Sequence, residues 1–308
     1  MMRIGFLALL VAFATAVSAH SAPSCTIDPT RVLSWSTYHT LTEPSEDTYT
    51  VEYKGCGKRL IYVAARHSND PKSATFVAVQ AALAEKGVGF VVLEGFPSNM
   101  GVNPAPLIEH SAKVASGPGD AEPYLAVRLA HAAHIDFTGG EPTDAEILAF
   151  VKTAGLTEKD LFAFYVLRQI EQWTRAERLT GAADPRLDGE IKRYAPIFAR
   201  DAGVAVATFA DVATLNGFKS WYQAKNGIAF DTGYKPEDAY PSGPGSRPTN
   251  AISDKVSDAR DRHIVSIVAA ALQKHDTVVM VYGASHHLME APAFEAAFGP
   301  GRSSLTPR

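Results

Sequence analysis

The chain has few cysteines: two in 308 residues, Cys25 and Cys56, so at most one disulfide can form within it. It also has no block of lysine and arginine, with 29 basic against 33 acidic side chains and a formal net charge of −4. A row of phosphates would meet no matching row of cations, so nucleic acid is not an expected partner. Internal repeats and low-complexity tracts are absent. Beyond the first nineteen residues, no stretch approaches the roughly 20 consecutive apolar residues that a membrane span needs.

The amino terminus reads as an export signal. Arg3 supplies a positive start, Ile4 to Val17 form a short apolar run, and Val17-Ser18-Ala19 provides the small residues a signal peptidase requires. Residues 1–19 are therefore the expected signal peptide. The expected mature chain begins at His20, and the protein is secreted or periplasmic. That leaves 308 − 19 = 289 residues, of a chain that is 46% hydrophobic, enough for one large domain. In an oxidising compartment Cys25 and Cys56 are expected to pair. The bridge closes a loop of 56 − 25 = 31 residues, worth roughly 3 to 4 kcal/mol by chain entropy. Lipid attachment at Cys25 is disfavoured, because Ala22-Pro23-Ser24 is a poor match to the processing signal.

Residues 26–58 read as short extended pieces and turns, and strand–helix alternation follows. A strand ends at His67, a helix over 73–86 carries Phe76, Val79, Ala82 and Leu83 at helical spacing, and Gly87 stops it before the next strand. A helix over 121–133 leads to a strand ending at Glu141, and Thr143-x-x-Glu146 opens another helix as a capping box. The expected fold is α/β: a mixed or mostly parallel sheet flanked by helices, with a mostly helical inserted lobe at about 143–225. Residues 203–209 are expected to return to the sheet, with Asp211 following at the position of a fifth crevice residue. A proline- and glycine-rich loop at 228–250 is long enough to be a lid or a disordered segment. A helix over 253–274 and a strand over 277–282 complete the domain of residues 20–308.

Four buried-type strands end on ionisable residues: His67 after RLIYVAA, Glu94 after FVVL, Glu141 after HIDFTGG, and His286 after TVVMVYG. In an open α/β sheet the carboxyl ends of the strands share one edge, and ligands bind in the crevice beyond it. Glu94 follows an apolar run so closely that it must be paired, hydrogen-bonded or metal-bound. A salt bridge to Arg260 and a helix-dipole role for Glu141 are the structural alternatives. Arg260 and Arg262, two apart on one helix, cannot both reach the crevice. His287 is expected to point away from its neighbour, and His131 and His134 lie near a helix end. Ser285 lacks the second glycine of a nucleophile elbow, and the preceding strand is not read as a strand-to-helix turn.

The order of these motifs resembles the superfamily of TraB-like and TIKI-type proteins, ChaN-type haem-binding lipoproteins and erythromycin esterases. Gly283-Ala-Ser-His286 matches its second Gly-x-x-His, Val91-Val-Leu-Glu94-Gly its glutamate strand, and Arg260-Asp261 with Ile264 its late helix. Ala64-Ala-Arg-His67 has alanine where the family usually has glycine, and Ala259 stands in for a frequent glutamate. The resemblance implies a hydrolase of ester or peptide-like bonds acting on a small-molecule or peptide substrate. Glu94, Glu141, Arg260 and His286 are its catalytic candidates. In one version His67, Glu94 and His286 hold a divalent metal such as Mn, Co or Zn. In the other, a histidine activates water without metal. The alternative it implies is a ChaN-like protein that binds haem or another small ligand without catalysis. Oligomeric state is not legible.

Overall fold

In a computed structural model, the structure describes residues 26–305 apart from 116 and 118, and for Leu305 the backbone alone. The predicted signal peptide and Cys25 lie outside the described residues.

The chain first makes two short 3₁₀ turns, Pro29–Arg31 and Trp35–Thr40, where extended pieces were expected. It then forms β1 (Tyr49–Gly55), β2 (Lys58–Ala65), α1 (Ala74–Leu83), β3 (Phe90–Pro97), α2 (Ala105–Val114), α3 (Glu122–Ala132) and β4 (Asp136–Glu141). Five helices follow: α4 (Asp144–Thr153), α5 (Glu158–Arg175), α6 (Leu187–Ala202), α7 (Leu215–Asn226) and the short α8 (Phe230–Gly233). The long α9 (Pro248–Lys274), β5 (Thr277–Gly283), α10 (Ala284–Phe298) and β6 (Arg302–Leu305) end the described chain.

The sheet is ordered β4-β3-β5-β2-β1-β6. Its first four strands are parallel, and β1 and β6 add antiparallel at one edge. This is the mixed, mostly parallel α/β sheet expected from the sequence. The parallel strands are runs of Val, Ile and Leu because both faces are covered. On one face, Ile61, Val63, Val91, Leu93, Val279 and Val281 pack beneath α1 and α3. On the other, Leu60, Tyr62, Val92, Val278 and Met280 pack beneath α9 and α10. The β1–β2 hairpin turns through Cys56 and Gly57, both at positive φ (57° and 75°), the backbone of a two-residue hairpin loop. Cys56 is not a free thiol.

Helices α4 to α8 form a lobe around Phe162, Phe164, Phe198, Phe209 and Phe218. Its core reaches beyond residue 225, taking in Phe230, Ala239 and then Ile252, Val256 and Ala259 of α9. The carboxyl-terminal half of α9 instead packs on the sheet through Ile264, Val265 and Val268. One helix thus spans lobe and sheet, and Arg260-Asp261 falls at the passage between them. The helix starts five residues earlier than expected, at Pro248, whose missing N–H costs nothing in a first turn. The Arg247 N–H also donates to Asn250 Oδ1 at 2.7 Å.

Residues 203–209 do not enter the sheet. Gly203 ends α6 in the left-handed conformation (φ 67°), and Val206–Thr208 makes one 3₁₀ turn whose residues are exposed. Exposed Val206–Thr208 have no apolar face buried as a central strand needs, and Phe209 instead packs into the lobe core. Asp211 accordingly belongs to the lobe surface, where it pairs with Lys159 at 2.7 Å. Within the expected loop, α8 and a 3₁₀ turn at Pro236–Ala239 are ordered by the ion pair of Arg247 with Asp238 at 2.8 Å. No helix among the described residues is long and apolar enough to cross a membrane.

Candidate active site

The carboxyl ends of β2, β3, β4 and β5 meet at one edge, and each delivers the residue read from the sequence. His67 lies two residues past β2, and Glu94 sits where the β3–β4 register shifts after Leu93. Glu141 ends β4, and His286 occupies the first turn of α10. Their convergence can be located at Gly283. A Cβ placed on that glycine would lie 3.4 Å from Glu94 Oε2, 3.4 Å from His286 Cδ2 and 3.6 Å from His67 Nε2.

Each histidine is held from behind by a buried carboxylate. His67 Nδ1 meets Glu122 Oε1 at 2.5 Å, and Glu122 is 2% exposed at the start of α3. This leaves His67 Nε2 facing Glu94 Oε2, 3.7 Å away. The hydrogen bond donated to Glu122 outweighs desolvation and, aided by the charge of Glu94, pushes the imidazole up to about 9. Of its side-chain surface, 64% remains open, so solvent screens that interaction. His286 Nδ1 pairs with Asp261, whose second oxygen accepts from Trp35 Nε1 at 2.6 Å. Burial raises the Asp261 carboxyl, against the opposing charge of His286. Trp35 also packs edge-on to the His286 ring, centroids 4.8 Å apart, and walls the site.

Arg260 joins the carboxylates. It grips Glu141 in a fork, Nε to Oε2 at 2.8 Å and Nη2 to Oε1 at 2.6 Å, and reaches Glu94 Oε1 at 3.2 Å. Its Nη1 lies 3.5 Å from His286 Nε2. The salt bridge between Glu94 and Arg260, weighed from the sequence as the structural alternative, is therefore present, and Glu94 also accepts the Gly283 N–H at 2.7 Å. Burial alone would raise Glu141, but the Arg260 charge and hydrogen bonds hold it down to about 2. Tyr282 donates to Glu141 as well, at 2.9 Å. Arg262 faces elsewhere, over the Phe150 ring, as the two-residue spacing requires.

Gly139 and Gly140 make this meeting sterically feasible. A Cβ at Gly139 would fall 2.1 Å from the Phe96 carbonyl oxygen, and one at Gly140 would fall 2.3 Å from Ile264 Cδ1. Without side chains there, β4 lies close enough to β3 and α9 for Glu141 to reach Arg260.

Two cavities flank Arg260. One, about 300 Å³, is lined by Trp35, Arg168, Gln172, Tyr240, Ser285 and His286 among others. The second, about 280 Å³, lies toward Glu141, Asp144, Tyr165 and Tyr194. Ser285 thus lines a cavity at a true strand-to-helix junction, contrary to the sequence reading, because α10 begins at Ala284 directly after β5. His287 turns into the core, between the Tyr49 and Tyr53 hydroxyls at 3.1 and 2.8 Å. Burial lowers it to about 4.

Among the described residues, the group whose ligand atoms all lie within 4.8 Å of one another is Asp261, His286 and Glu290. This buried trio can hold a metal ion. It shares only His286 with the expected set of His67, Glu94 and His286. Both carboxyl oxygens of Glu290 are sealed from solvent without a hydrogen-bond partner. Burial and the neighbouring Asp261 push that carboxyl well above the usual carboxylate range.

Sequence reasoning missed Glu122, Trp35, Arg168 and Glu290. The first two lie outside the strand ends, and the other two sit within apolar helical runs that read as core. The chain matches no known protein family, no curated protein and no solved structure. The resemblance to the TraB and erythromycin esterase superfamily therefore rests on the residues themselves.

Proposed function

We propose that the crevice hydrolyses ester or peptide-like bonds, in a secreted or periplasmic protein. The observation that carries this reading is the facing of two histidine–carboxylate pairs across one point, with Glu94 between them. Asp261 fixes the Nδ1 side of His286 and leaves Nε2 toward the crevice to take a proton from water. Glu122 does the same for His67, whose Nε2–H can protonate a leaving group. A base and an acid oriented by buried carboxylates are what acyl transfer to water requires. Arg260 spends Nε and Nη2 on carboxylates, while Nη1, 3.5 Å from His286 Nε2, would offer an N–H to negative charge developing on a carbonyl oxygen beside that histidine.

A second reading, supported by the buried Asp261–His286–Glu290 trio, adds a divalent ion. Nitrogen and oxygen donors suit Mn, Co or Zn, and Glu290 would gain the partner it lacks. Such an ion supplies Lewis-acid polarisation and a more acidic bound water. Haem is a weaker fit, because the walls of both cavities carry charged groups, including Arg168, Glu171 and Arg260 in the first, where a macrocycle needs an apolar slot.

The test is Glu94→Gln, which keeps shape while removing charge. Turnover of a small ester and peptide panel should fall by about 10²-fold or more with the thermal melt retained. No turnover by the wild type, together with a Soret band on haem titration, would establish a binding protein instead.

A further inference from the structure

One cavity wall carries a cation that the hydrolytic reading leaves unused. Helix α5 presents Arg168, Glu171, Gln172 and Arg175 at spacing i, i+3, i+4 and i+7, and all four line the cavity that contains His286 and Arg260. Arg168 also lines the second cavity, as do Gln172 and Arg260. It follows seven consecutive buried residues, Leu161 to Leu167, so its stem is rooted in the lobe core. Among the described residues, no carboxylate or hydrogen-bond acceptor pairs with its guanidinium. Glu171 lies on the same face but is engaged by the Tyr234 hydroxyl at 3.1 Å. Asp144 is engaged by Tyr165 at 3.2 Å, and Glu141 by Arg260.

An unpaired cation set against a lobe core is costly, and removing it should stabilise a protein that does not need it. Desolvation and the nearby Arg260 lower the Arg168 guanidinium, against the opposing charges of Tyr165 and Glu141. A planar guanidinium is the group best shaped to bind a carboxylate or phosphate through two parallel hydrogen bonds.

We propose that Arg168 is an oxyanion-recognition residue, binding a carboxylate or phosphate carried by the substrate while the scissile group lies where His67, Glu94 and His286 meet. Gln172 of α5 and Ser257 of α9, which line the same cavity, supply further hydrogen-bond donors for that anion. The cavity's volume of about 300 Å³ suits a small acid or the acidic end of a peptide. The placement of the scissile group rests on the hydrolytic reading, whereas anion binding does not.

The test uses the whole protein without turnover. Inorganic phosphate and succinate are titrated separately by calorimetry, with thermal melts alongside, into wild type, Arg168→Met and Arg168→Lys. Wild type should bind at least one of the two and melt higher with it. A response to phosphate alone identifies a phosphate-bearing substrate, and a response to succinate alone a carboxylate-bearing one. Arg168→Met should lose about ten-fold or more in affinity and, without ligand, melt above wild type, an outcome that a structural arginine would reverse. Arg168→Lys should keep part of the binding, and it alone suffices if the methionine variant does not fold. Failure of both anions to bind wild type, or unchanged affinity in the variants, would overturn the proposal. Anion binding lost in Arg168→Met, in a protein that hydrolyses nothing, would sink the hydrolytic reading and leave the anion site standing.

Discussion

His286, in the first turn after β5, and Glu141, at the end of β4, share one sheet edge with β3 between them, yet their environments differ. Among the described residues, the Asp261 carboxylate makes its hydrogen bonds to the His286 Nδ1 and the Trp35 indole N–H. Asp261→Asn should therefore leave the fold in place but turn or mistautomerise the imidazole, lowering turnover by roughly 10²- to 10⁴-fold, measured as kcat at fixed pH. Glu141 contributes to stability through Arg260. Its folded pKa of about 2 lies below the usual 4.5, so its contribution is fully present above about pH 4.5 and is lost as the pH falls toward about 2. That contribution is on the order of 3 kcal/mol. Denaturant melts at pH 7 and pH 3 should show wild type losing more stability than Glu141→Gln. The variant should also be weaker at pH 7, because it leaves Arg260 underpaired. An equal acid response in the two proteins would contradict this assignment.

At the scale of elements, the strands were legible because a buried parallel strand is a short apolar run, and the residue at its end is visible by contrast. His67, Glu94, Glu141 and His286 were all found that way. The segment 203–209 misled for the same reason: Val204 to Phe209 is a short, mostly apolar run, but tertiary packing leaves most of the segment exposed. Glu122 and Trp35 were not legible, since each acts across a long sequence separation on a histidine that no local spacing reveals. The Gly139-Gly140 pair is more than a loose end to β4. Gly139→Ala sets a methyl against a backbone carbonyl, which cannot move aside, whereas Gly140→Ala meets the flexible tip of Ile264. Both should lose stability, by about 1 to 3 kcal/mol for Gly140→Ala and more for Gly139→Ala, as read from denaturant midpoints. The reverse order would mean that the β3–β4 contact gives more readily than the helix.

For the whole molecule, α9 couples lobe to sheet, and Arg260 and Asp261 of the candidate site lie at that joint. The lobe contributes Arg168, Glu171, Gln172 and Arg175 to the cavity lining, while Glu94 and Glu141 of the candidate site come from the sheet edge. The export reading and the Cys25–Cys56 bridge are tested together by mass spectrometry of unreduced secreted protein. The expected chain starts at His20 and is lighter by two hydrogens than its reduced form; two free thiols or a lipid mass on Cys25 would contradict that. Elemental analysis of protein purified without chelators or affinity metal decides whether Asp261, His286 and Glu290 hold an ion. The central claim, that both histidines serve one hydrolytic centre, is tested most directly by a double-mutant cycle on ester turnover with His67→Gln and His286→Gln. Residues acting as a unit are non-additive, so each single variant should lose about 10²-fold or more and the double variant should be little worse than the weaker single. Losses that multiply, or single variants that turn over as fast as wild type, would contradict the account.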